Sequence, residues 1–294
     1  MPARESESLV LRTYPYREAD LVVSFLARDR GRLRGIARGV RRPKSRWGSG
    51  LERLSHARLF YFLRENQELA RLDRCELSSP PIFLKADYAT SVALDFIVEV
   101  TERLLPEHEP NDAFFRLLLL VIEELRAGLN GKLEPPPGTA PAEAPALPGP
   151  KNNGDGGGTS QDAGPWAGAE FGDAPGWLWR TLTYFALWSV RLGGWMPPLD
   201  VCIQSGVELG SGETAYYEQS QPGLFSADYR TRDSRPLAAE SRRTAHEMLR
   251  RPLPELRDGH WDRGAAEDLR QFLVQRLEAQ FECRLKTVAV LAQF

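Results

Sequence analysis

Three cysteines, Cys75, Cys202 and Cys283, are all that 294 residues contain, too few and too scattered for a disulfide framework. No apolar run approaches the roughly 18 residues that read as a membrane span, and the first residues lack the charged-then-apolar pattern of a secretion signal. Both absences lead us to expect a cytoplasmic protein. Missing too are a GxxxxGKS/T phosphate loop, a paired-acid cluster and an HxxxH spacing, so neither ATP-driven work nor metal-dependent nuclease chemistry is expected. His56, His108, His246 and His260 are dispersed. The one tempting cluster, Glu107-His108-Glu109 between Pro106 and Pro110, reads as a structural turn rather than a metal site. There is no internal repeat.

What the chain does have is positive charge in one place. Arg28, Arg30, Arg32, Arg34, Arg38, Arg41, Arg42, Lys44 and Arg46 put nine cations into nineteen residues around a single acid, Asp29, in a chain of net charge −2. Residues 1–80 carry 17 Lys and Arg against 10 Asp and Glu, and the remainder 21 against 30. A basic head on an acidic body points to a polyanion as partner, a solvated basic face being the bland alternative.

Within this run Arg32, Arg34 and Arg38 fall at even spacing, so a strand would set them on one face. Residues 39–50 hold three glycines and Pro43, which predicts a flexible basic loop. Short β-branched or aromatic runs at Ser8–Thr13, Leu21–Leu26, Ala57–Leu63 and Leu69–Glu76, bounded by turn residues, bring the strands to five and suit a small closed barrel. Single-strand binders on five-stranded barrels combine a positive groove with aromatic platforms. Tyr14, Tyr16, Trp47, Phe60, Tyr61 and Phe62 are the supply, with Trp47 the preferred stacking residue and Phe60 and Phe62 read as core or half-buried.

Beyond the head the periodicity turns helical. Ala89, Ala93, Ile97, Val100 and Leu104 mark one helix, and a second starts at an Asn111-Asp112 cap with Phe114, Leu118, Val121 and Leu125 as its inner stripe. Trp177–Leu192 reads as a third, buried on more than one side, and Leu269, Phe272, Leu273, Leu277 and Phe281 as the face of another. Residues 131–175 contain 10 Gly, 9 Pro and 8 Ala, a composition that predicts a disordered insertion.

The run from Leu9 to Arg46, followed by LERLSHARLFYF, resembles the amino-terminal domain of the RecO family of bacterial recombination mediators. LLPEHEPNDAFFRLLLLVIEEL, Leu104 to Leu125, is similar to the start of that family's helical domain. The resemblance implies an α+β fold: an OB-fold barrel over 1–80, then an all-α domain over 81–294, interrupted by 131–175 and by a degenerate zinc-finger-like insertion at 200–230. It implies a protein without catalytic turnover that binds single- and double-stranded DNA and anneals complementary strands. Its partners would be RecR, the tail of single-strand DNA-binding protein and, indirectly, RecA, on the nucleoid and away from membranes.

Many members of that family carry two CxxC pairs. Here Cys202-Ile203-Gln204-Ser205 and Ser226-Ala227-Asp228-Tyr229 keep the outline, but only Cys202 remains of the four expected ligands, so no metal or other cofactor is expected. Residues 206–221 would then form a mobile loop. Arg32, Arg34, Arg38, Arg41, Arg42, Lys44, Arg46 and Trp47 are the expected DNA-binding residues. Phe281, Arg284 and Lys286 are the expected partner-binding residues, at a pocket that the resemblance places on the helical domain for an acidic, phenylalanine-terminated tail. Charge alone leaves open an RNA-binding module or a scaffold that recruits protein partners.

Overall fold

The computed structural model describes residues 4–63, 67–133, 174–257 and 261–294. Five strands, Arg4–Tyr16 (β1), Asp20–Ala27 (β2), Gly31–Ala37 (β3), His56–Phe62 (β4) and Leu69–Leu77 (β5), close into a barrel in the order β1-β2-β3-β5-β4. Every pairing is antiparallel except β3 with β5, which is parallel. The alternation read in the sequence is what fills it: Val10, Val23, Phe25, Leu33, Leu59, Tyr61 and Leu72 point inward. On β1 the flanking Leu9 and Leu11 face the other way and join the helical core. Buried on both faces, that part of β1 reads as a continuous apolar run.

The helical body comprises Tyr88–Leu104 (α1), Asp112–Leu129 (α2), Gly176–Leu192 (α3), Ala239–Arg250 (α4), Glu267–Phe281 (α5) and Lys286–Leu291 (α6). The Asp87 carboxylate accepts from the Thr90 N–H at 2.7 Å, and the Asn111 side chain accepts from the Phe114 N–H at 2.9 Å. Both caps satisfy donors that a helix start leaves orphaned. The Trp177 indole of α3 lies so close to Gly128 of α2 that an added Cβ would sit 2.4 Å from the ring, which sets how near the two helices pack. The expected disordered insertion, 131–175, lies for residues 134–173 outside the described residues.

Between α3 and α4 the degenerate module is folded rather than a mobile loop, which corrects the expectation for residues 206–221. Strands Ala215–Tyr217 (β6) and Arg235–Leu237 (β7) pair antiparallel, and Leu209, Ala215 and Tyr217 are buried. Arginines do the fastening. Arg242 of α4 donates to the carbonyls of Leu199 at 3.3 Å and Gly210 at 2.5 Å, and Arg276 of α5 donates to that of Gln221 at 3.0 Å.

The barrel is bolted to the helices along one seam. Arg32 Nη1 and Arg34 Nη2 reach Glu107 at 3.3 and 2.9 Å, Arg32 Nε donates to the Leu105 carbonyl at 3.1 Å, and the His108 N–H donates to the Arg32 carbonyl at 3.1 Å. Gly31, at φ +74°, lies against the Glu109 backbone, where a Cβ would stand 2.2 Å from the carbonyl oxygen. Arg28 bridges Glu7 and Asp112, and Arg12 meets Glu102. The Glu107-His108-Glu109 turn is therefore structural, as the sequence suggested.

Candidate nucleic-acid interface

The basic run divides into two groups once its geometry is known. Arg32 and Arg34 do project from one face of β3, but that face meets the helical body and Glu107 takes both guanidinium groups. Both are drawn to the seam, Arg32 largely covered and Arg34 with its side chain half exposed, so of the two only Arg32 departs from the open surface expected of them. Their acid lies some seventy residues downstream and gives no local signal.

Arg38, Arg41, Arg42 and Lys44 form the other group. All four are exposed, and among the described residues no ion pair joins any of them to an acid. The loop that carries them is a chain of turns rather than a flexible tether: Arg42 N–H donates to the Gly39 carbonyl at 3.2 Å, and Ser45 N–H to that of Arg42 at 3.1 Å. It is also tied to the tip of the β1–β2 hairpin, Arg41 N–H donating to the Ala19 carbonyl at 3.2 Å and Gly39 N–H to Asp20 Oδ1 at 2.8 Å. Gly39, Lys44 and Gly48 all have positive φ, a conformation that glycine adopts freely and other residues adopt at a cost.

Trp47 is not the exposed platform expected of it. It is 3% exposed, its ring belongs to the barrel core, its Nε1 donates to the Arg38 carbonyl at 2.9 Å, and the Arg46 guanidinium lies 5.3 Å from its ring centroid. An amphipathic ring with one polar donor suits such a post: it pins the basic loop to the barrel. Arg46 itself covers Trp47 and approaches Asp73 at 3.8 Å.

Aromatic and apolar surface stands beside the loop by another route. Tyr14 is 44% exposed and is opposite Val22, which is opposite Ile36, and both aliphatic side chains are half-buried on the outside of the barrel. Arg17 lies over the Tyr16 ring at 5.2 Å. The row crosses β1, β2 and β3 where the helical body leaves the barrel uncovered.

The helical body has its own cleft, of about 1210 Å³, between α1, α3, α5 and α6. Phe96, Leu182, Val274 and Val288 give it apolar walls, and Arg235, Arg263, Arg270 and Arg284 line it together with Glu218, Asp233, Glu267, Glu278 and Glu282. Arg270 lies over the Trp179 ring at 5.0 Å, and burial pushes its pKa down to about 10. Trp179 Nε1 is buried with no acceptor among the described residues. Of the three expected partner-binding residues only Arg284 lines this cleft. Phe281 instead packs edge-on against Trp195 at 5.9 Å, and Lys286 is exposed at the start of α6, its backbone N–H bonded to Glu99.

At the module, the Cys202 thiol is buried. Burial raises its pKa, but donors from Ser205, Ser226 and Gln204 outweigh this and bring it to about 7. Among the described residues no three His, Cys, Asp or Glu side chains gather as a metal-binding group, and no helix is long and apolar enough to cross a membrane.

A small closed OB-like barrel with a helical body behind it defines the class of this protein. Comparison with known proteins narrows it. Residues 1–81 match the family model described as Recombination protein O N terminal, and residues 174–289 the one described as Recombination protein O C terminal. The DNA repair protein RecO of Koribacter versatilis is 36% identical over 288 residues, 98% of either chain. The RecO of a Nocardioides species is 28% identical, covering 80% of this chain and 78% of its own, and that of Cutibacterium acnes 33% identical over 46% and 55%. The chain belongs to the RecO family of DNA repair proteins.

Proposed function

We propose that this chain is a recombination mediator without catalytic turnover. It binds single- and double-stranded DNA, anneals complementary strands and, with RecR, helps load RecA onto strands coated by single-strand DNA-binding protein. The observation that carries this reading is the anchored loop with Arg38, Arg41, Arg42 and Lys44 exposed and, among the described residues, in no ion pair. Cations so placed release condensed counterions from phosphates and lower the repulsion between two strands. The Tyr14, Val22 and Ile36 row offers flat surface to unpaired bases, leaving their pairing edges open. The cleft lined by Trp179, Arg270 and Arg284 is the proposed seat of the acidic, phenylalanine-terminated tail of the coating protein. Arginine–carbonyl bonds fasten the module, supporting a protein that needs no zinc.

The test is annealing of complementary oligonucleotides coated with cognate single-strand DNA-binding protein, full-length or lacking its tail, across a salt series and with or without a chelator. Annealing should survive the chelator, fall with salt and weaken when the tail is missing. Replacing Arg41, Arg42 and Lys44 by Ala should weaken binding to all sequences alike and cut the slope of log affinity against log salt by about 2. An unchanged slope would remove the loop from the DNA site. Matched RNA competing as well as DNA would favour the RNA reading.

A further inference from the structure

The outer face of β4 and β5 carries a feature that the mediator reading does not use. Phe60 and Phe62 project from β4 at half-burial, and each is topped by an arginine of β5: Arg74 lies 4.0 Å from the Phe60 ring centroid and Arg71 4.8 Å from that of Phe62. The pairing is built by register. Arg71 and Arg74 are three apart and would point to opposite faces of a regular strand. A bulge between Phe60 and Tyr61 in the pairing, which leaves Asp73 as the extra residue, brings both onto one face, opposite Phe62 and Phe60.

Covering half-buried phenylalanines needs only apolar stems, and such stacks are often no more than that. Here the guanidinium carbons themselves sit over the rings at cation–π distance. Among the described residues Arg71 and Arg58, one step further along β4, have no ion pair, and Arg74 shares Glu76 at 3.1 Å. Of the other acids around this face, Glu5 stands opposite Phe60 and Glu7 opposite Arg58 on β1, Glu7 being taken by Arg28 and His56, and Asp73 is engaged by Arg46. Outward positions on a strand recur every 6.6–6.8 Å or so, wider than the ~3.4 Å step of a duplex strand and within the reach of a stretched single strand.

We propose that this Phe–Arg ladder is a second binding surface for single-stranded nucleic acid. The proposal rests on the mediator reading and gives it a geometry. Through Ile36, whose register partner is Arg71, the ladder adjoins the row beside the basic loop. One strand on the loop and another on the ladder lie side by side on a single barrel, arranged for pairing.

Native mass spectrometry of the full chain with two short, non-complementary oligonucleotides, run beside an annealing assay, tests this. The wild type should carry two strands per chain. Arg71→Ala/Arg74→Ala should carry one and anneal about tenfold more slowly, with its single-strand affinity changed less than about threefold. Arg71→Lys/Arg74→Lys keeps the charge but loses the planar stack. It should fail likewise, and it decides the matter if the alanine variant does not fold. One strand per wild-type chain, or full annealing by either folded variant, overturns the ladder alone. A wild type that binds no strand overturns the mediator reading with it.

Discussion

Glu124 is 1% exposed, and Arg180 Nη2 at 2.9 Å and Arg257 Nη2 at 2.6 Å converge on its carboxylate. Arg180 is buried as well, and burial works to lower its pKa while Glu124 works to raise it. Replacing the acid leaves a buried guanidinium without its counter-charge, which typically costs about 3–5 kcal/mol. Glu124→Ala should therefore lower denaturant stability by about that much, a loss that urea unfolding would measure; under 1 kcal/mol would mean the arginines find other partners. None of this was legible in the sequence, where Glu123-Glu124 reads as two acids on an ordinary helix. Trp47 misled for a related reason. A ring amid cations looks exposed, and only the closed barrel reveals a place for it inside.

At the scale of elements, one carboxylate of α1 ties down the start of α6, beside the packing of Leu291 and Phe294 in the core. Glu99 accepts from the Thr287 hydroxyl at 2.8 Å and from the backbone N–H groups of Lys286 and Thr287, both at 3.1 Å, with Arg103 at 3.2 Å. Burial raises the Glu99 pKa, but these donors prevail and leave it below its ordinary value of 4.5. A depressed folded-state pKa gives stability that is present above the unfolded value and is lost as pH falls through the folded one. Glu99→Gln should thus melt below the wild type at pH 7, and the gap should close in acid. A gap independent of pH would show that the carboxylate's charge is not what holds α6. Strand and helix periods were readable because burial enforces them. The Phe60–Arg74 pairing was not, because it depends on a bulge that shifts register by one residue.

For the whole molecule the seam matters most. Gly31→Val would force a side chain into the Glu109 backbone at a φ that valine avoids. Calorimetry should find the barrel and the helical body unfolding in two transitions where the wild type shows one; a single transition would mean that the salt bridges couple them unaided. The sequence disclosed the barrel, the basic loop and the helices, since local patterns encode each. It did not disclose which arginines serve the seam, because that is decided by where Glu107 arrives after the chain has folded back.

The docking of α6 on α1 also sets an order of assembly. Glu99 and Thr287 are 188 residues apart in sequence, whereas the barrel closes with contacts confined to residues 4–77. During synthesis from the amino terminus the cationic barrel can be complete while α1 still waits for its last partner. The basic surface is finished first, and the docking of α1 waits until the turn that carries Thr287 has been made.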